Sequence, residues 1–348
     1  MRASTSQLLK GLGPSPMPRH LELMKCALVD QAFDKPGWIF EPKLDGLRVL
    51  CIFDGNDWKL LSRNDKPQNF QFPDIEAGLV KAIRKPCVLD GEIACLDEHG
   101  KSSFRLLQQR FHLTQESIVK ARMKKFPAHL FLFDILYFDK FDLRSQQLAA
   151  RKIILHEVVK WKDPVLWTDA NPVHGKEMFQ DACKRGEEGI IAKKLDSRYT
   201  GDRSGSWLKI KCSGRQEFVI GGFTEPQGSR VGLGALLVGY YDDAGKFQYA
   251  GKVGTGFSDK LLRDLREQLD RLEIEENPFA NRAGPRGGQV HHVKPRLVAE
   301  IAFAEWTQNH MLRQPRFQGL RTDKASTSVR RELPSHVEGN GKKSTRGS

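Results

Sequence analysis

No apolar run in this chain of 348 residues approaches the length of a membrane-spanning helix, so a soluble protein with no membrane partner is expected. The first residues, Met1 to Gly13, lack the charged start and apolar stretch of a secretion signal, which points to the cytoplasm. Cysteine is sparse and unpatterned. Cys26, Cys51, Cys87, Cys95, Cys183 and Cys212 form no C-x-x-C pair, which argues against a zinc module or a disulfide framework and leaves reduced, buried thiols as the expected state. Negative charge is also short: 43 Asp and Glu stand against 56 Lys and Arg, a formal charge of +13 that favours a polyanionic partner such as nucleic acid. The excess is dense from Lys193 to Arg215, where Lys193, Lys194, Arg198, Arg203, Lys209, Lys211 and Arg215 oppose Asp196 and Asp202. Apolar residues interleave that stretch, so it reads as folded chain and not as a tail.

With 39% hydrophobic residues the chain can bury the cores of two domains. Runs rich in β-branched and aromatic residues, bounded by turn signals, predict strands at Trp38 to Glu41, Arg48 to Phe53, Trp58 to Leu61, Cys87 to Leu96, His129 to Phe138, Gly189 to Lys193 and Trp207 to Lys211. Apolar spacing at i, i+3, i+4 predicts helices over Ile75 to Ile83, Phe104 to Phe111, Gln146 to Trp161 and Lys176 to Arg185. This mixed order predicts an α+β domain of antiparallel sheets with flanking helices over residues 1–212. Past Cys212 come short strands (Glu217 to Thr224, Ala235 to Tyr241, Phe247 to Val253, Arg296 to Trp306), glycine-rich turns and one helix, Ser258 to Leu272. That pattern predicts a small β-barrel of the oligonucleotide-binding (OB-fold) type over 213–334. Residues 335–348 read as a disordered basic tail, and Asn281 to Gln289 as a Gly/Arg-rich loop.

Lys43 stands at the end of the apolar run Trp38-Ile39-Phe40-Glu41-Pro42 and is followed by Leu44-Asp45-Gly46. A lysine so placed becomes a nucleophile once its amine is neutral. Four further elements could serve it: Asp90-Gly91-Glu92; Glu187-Glu188-Gly189-Ile190-Ile191-Ala192-Lys193; Trp207-Leu208-Lys209-Ile210-Lys211, whose alternation puts both lysines on one strand face; and Arg313 to Lys324, which clusters cations. Taken singly, each has a bland reading, as a turn, a helix stop, an exposed strand face or a solvated basic surface.

Taken in order and at these separations, K-x-D-G, D-G-E, E-G-I-I-x-K and K-x-K resemble the nucleotidyl-transfer motifs shared by ATP-dependent DNA ligases, RNA ligases and mRNA capping enzymes. Ser62-Arg63-Asn64, Phe131-Leu132-Phe133-Asp134, Arg203-Ser204 and Gly319-Leu320-Arg321-Thr322-Asp323-Lys324 look like the ligase domain of bacterial ATP-dependent DNA ligases, including those of non-homologous end joining. The resemblance runs from about Leu21 to Lys324.

It implies that the Lys43 amine attacks the α-phosphorus of ATP, that AMP passes from the lysine to a DNA 5′-phosphate, and that a 3′-hydroxyl then displaces AMP. Lys209 and Lys211 would neutralise the α-phosphate and lower the pKa of Lys43. Glu92 and Glu188 would hold Mg²⁺ or Mn²⁺, with Glu92 near the ribose. Phe133 would stack on adenine with Glu41 at its edge, and Arg48 and Arg63 would reach ribose and phosphate. Lys193 and Arg203 complete the expected nucleotide-binding set. Arg321, Asp323 and Lys324 would orient the departing pyrophosphate, which requires the barrel to close and reopen about a hinge near Cys212 to Arg215. The barrel and the stretch Lys193 to Arg215 would grip DNA phosphates. The implied partner is double-stranded DNA with nicks or ends, with recruitment by an end-binding repair protein. The implied setting is a monomer acting at the bacterial nucleoid. No DNA-binding, polymerase or nuclease module accompanies these motifs, so a minimal two-domain enzyme is expected. A guanylyltransferase or RNA ligase uses the same lysine chemistry, and a catalytically silent nucleic-acid-binding protein could keep the fold; the coexistence of Lys43, Lys209 and Lys211 argues against the latter.

Overall fold

The computed structural model describes residues 4–18, 21–111, 113–212, 214–281 and 289–332. The expected tail and most of the Gly/Arg-rich loop lie outside that set. The α+β class holds.

One sheet runs Trp58–Ser62, Leu47–Phe53, Cys87–Cys95, Ala128–Phe138, Phe141–Asp142, with Val165–Trp167 added parallel to Ala128–Phe138. The period of two sorts its side chains between faces. Leu47, Val49 and Cys51 pack with Leu89 and Leu132 under the helices Pro73–Ala82 and Leu148–Val158, while Leu50 and Ile52 join Val88 and Leu136 on the other face. A second sheet orders Ala27–Leu28, Trp207–Lys211, Gly189–Lys194 and Trp38–Pro42. Leu208 and Ile210 face the helix Gly175–Lys184, whereas Trp207 packs with Leu50, Val88 and Tyr199 from the first sheet's side. Trp207, Lys209 and Lys211 share a strand face, so both lysines are presented toward the space between the sheets. Two pairings, Ala27–Leu28 with Trp207–Lys211 and Val165–Trp167 with Ala128–Phe138, are parallel, which makes the sheets mixed and not purely antiparallel as expected.

The rest of the chain forms a curled, OB-like sheet. The long strand Gly214–Thr224 pairs along one edge with Ala235–Tyr241, and along the other with Val298–Phe303 over its first half and Val290–Val293 over its end. The helix Asp259–Asp270 is capped by Ser258, whose side chain accepts from the Leu261 N–H, and it drives Leu262, Leu265 and Leu269 into the core beside Phe218 and Ile301. The cationic run Arg313 to Lys324 contains a strand, Arg316–Arg321, paired with Val298–Phe303. The barrel packs against the first body: Gln108 Nε2 donates to the Leu320 carbonyl at 2.5 Å, Lys66 Nζ to that of Thr322 at 3.2 Å, and the Arg321 guanidinium lies 4.4 Å over the Phe104 ring.

The cysteine reading needs a correction. Cys183 and Cys212 are joined in a disulfide with Cα atoms 5.1 Å apart, while Cys51, Cys87 and Cys95 are buried free thiols. The helix Gly175–Lys184 covers the strand Gly189–Lys194, whose Gly189 lies opposite Lys211, so the helix end and the residue after Lys211 meet at one corner. A separation of 29 residues carries no motif that could have signalled this.

Candidate functional site

A cavity of about 820 Å³ lies between the sheets and is roofed by the barrel. The strand Trp38–Pro42 sends Glu41 into it and ends just before Lys43, whose N–H donates to the Gly189 carbonyl at 2.9 Å. Asp45 then turns inward, accepting from the Phe104 N–H at 3.1 Å and from Arg215 Nη2 at 2.9 Å. Gly46 is needed for close approach, since a Cβ there would sit 2.4 Å from the Ile93 carbonyl oxygen.

At one end the cavity suits a base. Phe133 and Trp207 line it, with the Lys193 ammonium 4.0 and 4.1 Å over their rings. The Glu41 carboxylate is buried between Lys193, at 2.6 Å, and Lys152. Thr168 Oγ1 and Trp207 Nε1 are buried with no hydrogen-bond partner among the described residues, two polar atoms left for a ligand to satisfy. Arg48 borders the cavity but is largely committed: it grips Asp90 through Nε at 3.0 Å and Nη2 at 2.7 Å and donates from Nη1 to the Met24 carbonyl. Arg63, by contrast, makes no hydrogen bond or ion pair with the described residues, and burial together with the charge of Arg48 pulls its pKa down. Among the described residues Arg203 reaches only the Cys26 carbonyl, at 3.0 Å.

The middle is acidic. Lys43 is ion-paired with Glu188, and Glu92 and Glu300 complete its surroundings. Burial disfavours the Lys43 charge, but Glu188, Glu300 and Glu92 outweigh it and hold its pKa above the ordinary lysine value. This reverses the expectation that Lys209 and Lys211 depress it: the carboxylate of Glu188 is in contact with Lys43, while the two lysines are ion-paired with Glu332. Burial tends to raise the Glu188 pKa, but Lys43, Arg215 and Lys211 hold it below its ordinary value; Glu92, more weakly compensated, is pushed up by burial to about 8. The two carboxylates are all-oxygen donors of the kind Mg²⁺ and Mn²⁺ take. Among the described residues no cluster of three or more His, Cys, Asp or Glu could hold a metal unaided, so phosphate and water oxygens would supply the remaining positions.

The other end is cationic, and much of it comes from the barrel. Arg321 forks onto Asp323 at 2.8 and 2.7 Å and reaches Glu300 at 2.9 Å; Lys324 pairs with Glu217. Lys209 and Lys211 face them from the sheet. Burial and then Lys211 bring the Lys209 pKa down to about 8. Lys209 therefore carries its charge below that pH in the ligand-free enzyme and loses it above. The apparent KM for ATP in any adduct-forming reaction should rise between pH 8 and 9.5, and Lys209→Arg, which stays charged, should flatten that rise; a pH series of KM for both proteins checks this.

The structure thus gathers Lys43, Glu41, Arg48, Arg63, Glu92, Phe133, Glu188, Lys193, Arg203, Lys209, Lys211, Arg321 and Lys324 around one cavity. It corrects the notion of a DNA-gripping stretch from Lys193 to Arg215. Lys193 is 2% exposed, and Lys209, Lys211 and Arg215 are turned inward, so Lys194, Arg198 and Arg203 are the exposed cations there. Sequence reasoning missed Lys152, Thr168, Glu217, Glu300 and Glu332. For Glu300 a signal existed, a lone acid inside the apolar strand Val298–Phe303; Lys152 likewise follows Arg151 inside an apolar helix.

The family model described as "ATP dependent DNA ligase domain" matches residues 23–211, and that of the "ATP dependent DNA ligase C terminal region" matches 229–324. The chain is 36% identical over 331 residues to the multifunctional non-homologous end joining protein LigD of Pseudomonas aeruginosa, covering 93% of this chain and 38% of that protein. It is 30% identical over 302 residues to a DNA ligase of Thermococcus fumicolans, covering 82% of this chain and 52% of that protein. The chain therefore spans well under two thirds of these relatives. A solved structure, mycobacterial DNA ligase D complexed with ATP and MES, is similar at 33% identity and a TM-score of 0.60, covering 88% of this chain and 98% of that one. Among the described residues, no helix is long and apolar enough to cross a membrane.

Proposed function

Since the chain belongs to the ATP-dependent DNA ligase family, we propose that it seals 3′-hydroxyl/5′-phosphate breaks in DNA through an AMP carried on Lys43. The observation that carries this reading is the placement of Lys43 on the cavity floor beside Glu188, beneath a roof of barrel cations. In the first step the Lys43 ammonium, ion-paired with Glu188 in the ligand-free enzyme, releases a proton to solvent, and the lone pair so freed on Nζ forms the N–P bond as pyrophosphate leaves with the electrons of the α–β bridge. Lys209 and Lys211 offset charge at the α-phosphate; Arg321 and Lys324 offset it at the leaving group. Phe133, Glu41, Lys193 and Thr168 hold the base, and Arg63, without an ion-pair partner among the described residues, serves ribose or phosphate. Glu92 and Glu188 would hold a divalent cation that polarises the phosphate oxygens.

The barrel then swings away about Cys212 to Arg215, breaking the Arg215–Asp45 and Arg321–Phe104 contacts, so that DNA reaches the adenylated lysine. AMP moves to the 5′-phosphate, and the 3′-hydroxyl displaces it. By extension from the relatives named for end joining, the substrate is double-stranded DNA with nicks or ends, met in end joining or repair at the bacterial nucleoid with recruitment by an end-binding repair protein. The test is to supply α-labelled ATP or GTP, then nicked DNA, blunt DNA or RNA ends. The account expects label from ATP alone and sealing of DNA. A GTP-only adduct, or sealing confined to RNA, contradicts it.

A further inference from the structure

The two sheet lysines of the phosphate end already have an occupant from the chain itself. After the strand Arg316–Arg321 the backbone crosses the mouth of the cavity and places Ser328 to Glu332 in its wall. Val329 anchors this strap: it is 4% exposed, packs with Val219 and Phe247, and its carbonyl accepts from the Tyr241 N–H at 3.0 Å. Gln216 clamps the next stretch from both sides, donating from Nε2 to the Arg330 carbonyl at 2.8 Å and accepting the Glu332 N–H at 3.2 Å. Arg331 lies 4.7 Å over the Trp306 ring. The strap is therefore positioned to within a side chain's reach, and Glu332 delivers one carboxylate oxygen to each lysine: Oε1 to Lys209 at 2.5 Å and Oε2 to Lys211 at 2.9 Å. Both lysines pull the Glu332 carboxyl down to about 2 against its burial, so it is ionised throughout the working pH range.

A tetrahedral phosphate bridging Lys209 and Lys211 would use the same two donors in the same way. One pair of cations cannot serve both anions at once. We propose that Glu332 is a built-in phosphate mimic, an acidic strap that occupies the Lys209/Lys211 subsite in the ligand-free enzyme and must be displaced before a nucleotide polyphosphate can bind there. The proposal rests on the reading of this cavity as the ATP site. Its effect is on affinity and not on chemistry: if the subsite is free one part in ten, apparent affinity for a phosphate ligand is reduced about tenfold. The anchoring of Val329 and the clamp by Gln216 leave the strap free to withdraw its terminal side chain without unpacking the barrel core.

The test uses the full chain and inorganic tripolyphosphate, a probe that needs no adenylation chemistry. Calorimetry compares wild type, Glu332→Gln, and Glu276→Gln, an exposed acid away from the cavity that controls for the change in net charge. Glu332→Gln should bind tripolyphosphate about tenfold more tightly and reach half-maximal ATP adduct formation at about tenfold lower ATP, while Glu276→Gln should match wild type. An affinity for tripolyphosphate in Glu332→Gln equal to or weaker than wild type overturns the strap, whatever its melting temperature does, and so does an equal gain in the Glu276→Gln control. Tighter tripolyphosphate binding with no ATP adduct in any of the proteins keeps the strap and sinks the ligase reading instead.

Discussion

Lys43→Ala should form no covalent AMP adduct and seal no ordinary nick, while still joining a nick whose 5′-phosphate has been adenylated in advance. The first loss is complete because the nucleophile itself is gone; removal of such a group costs several orders of magnitude in rate. The retained activity follows from the order of steps, since the last displacement uses the DNA 3′-hydroxyl and no amine from the protein. Folding is not the confounder it would be for most buried ion pairs. Glu188 loses Lys43 in the variant but keeps the nearby charges of Arg215 and Lys211, so its carboxylate is not stranded. Gel detection of labelled enzyme, next to ligation of ordinary and pre-adenylated nicks, separates the outcomes. Failure on both nicks would assign Lys43 a structural role.

Arg321→Ala carries the second large effect. Adduct formation should fall by about 10²- to 10³-fold, the usual cost of deleting one preorganised charge at a reacting centre, with a much smaller change in sealing of a pre-adenylated nick. Arg321 is on the barrel yet points into the cavity, forked onto Asp323, paired with Glu300 and stacked over Phe104 of the other body. Of these contacts only the one with Phe104 crosses between the two bodies; it exists only while the barrel is docked, so the residue belongs to the step performed in the docked state. Arg321→Lys should rescue little, because an ammonium cannot reproduce the bidentate hold on Asp323 that aims the side chain. Single-turnover rates of the first and last steps, measured separately, decide the matter; equal losses in both steps would remove the link to closure.

The parts of this site that could be read from the sequence are those where local pattern and chemistry coincide. Lys209 and Lys211 alternate with apolar residues on a short strand, so period two alone predicted their shared face, and Lys43 directly follows the apolar strand Trp38–Pro42. The helix Asp259–Asp270 announced itself by its Ser258 cap and its leucines. Glu116–Lys125 did not, because Val119 is its one buried residue and its charged faces leave no apolar stripe to detect. The Cys183–Cys212 bond and the reach of Glu332 into the phosphate end depend on where distant elements end in space, which no spacing encodes. The raised Lys43 pKa was missed for a related reason. Counting lysines along the chain finds its like-charged neighbours but not that Glu332 neutralises them, nor that Glu188 is the group in contact with Lys43.

The central claim, that Lys43 carries AMP to DNA, is tested most directly by isolating the enzyme after reaction with α-labelled ATP, mapping the labelled residue by mass spectrometry, and chasing the same preparation with nicked DNA in the absence of free ATP. The account predicts a single acid-labile phosphoramidate on Lys43 that disappears as nicks are sealed, one AMP released for each. Label on any other residue, or a Lys43 adduct that persists while nicks are sealed, contradicts it.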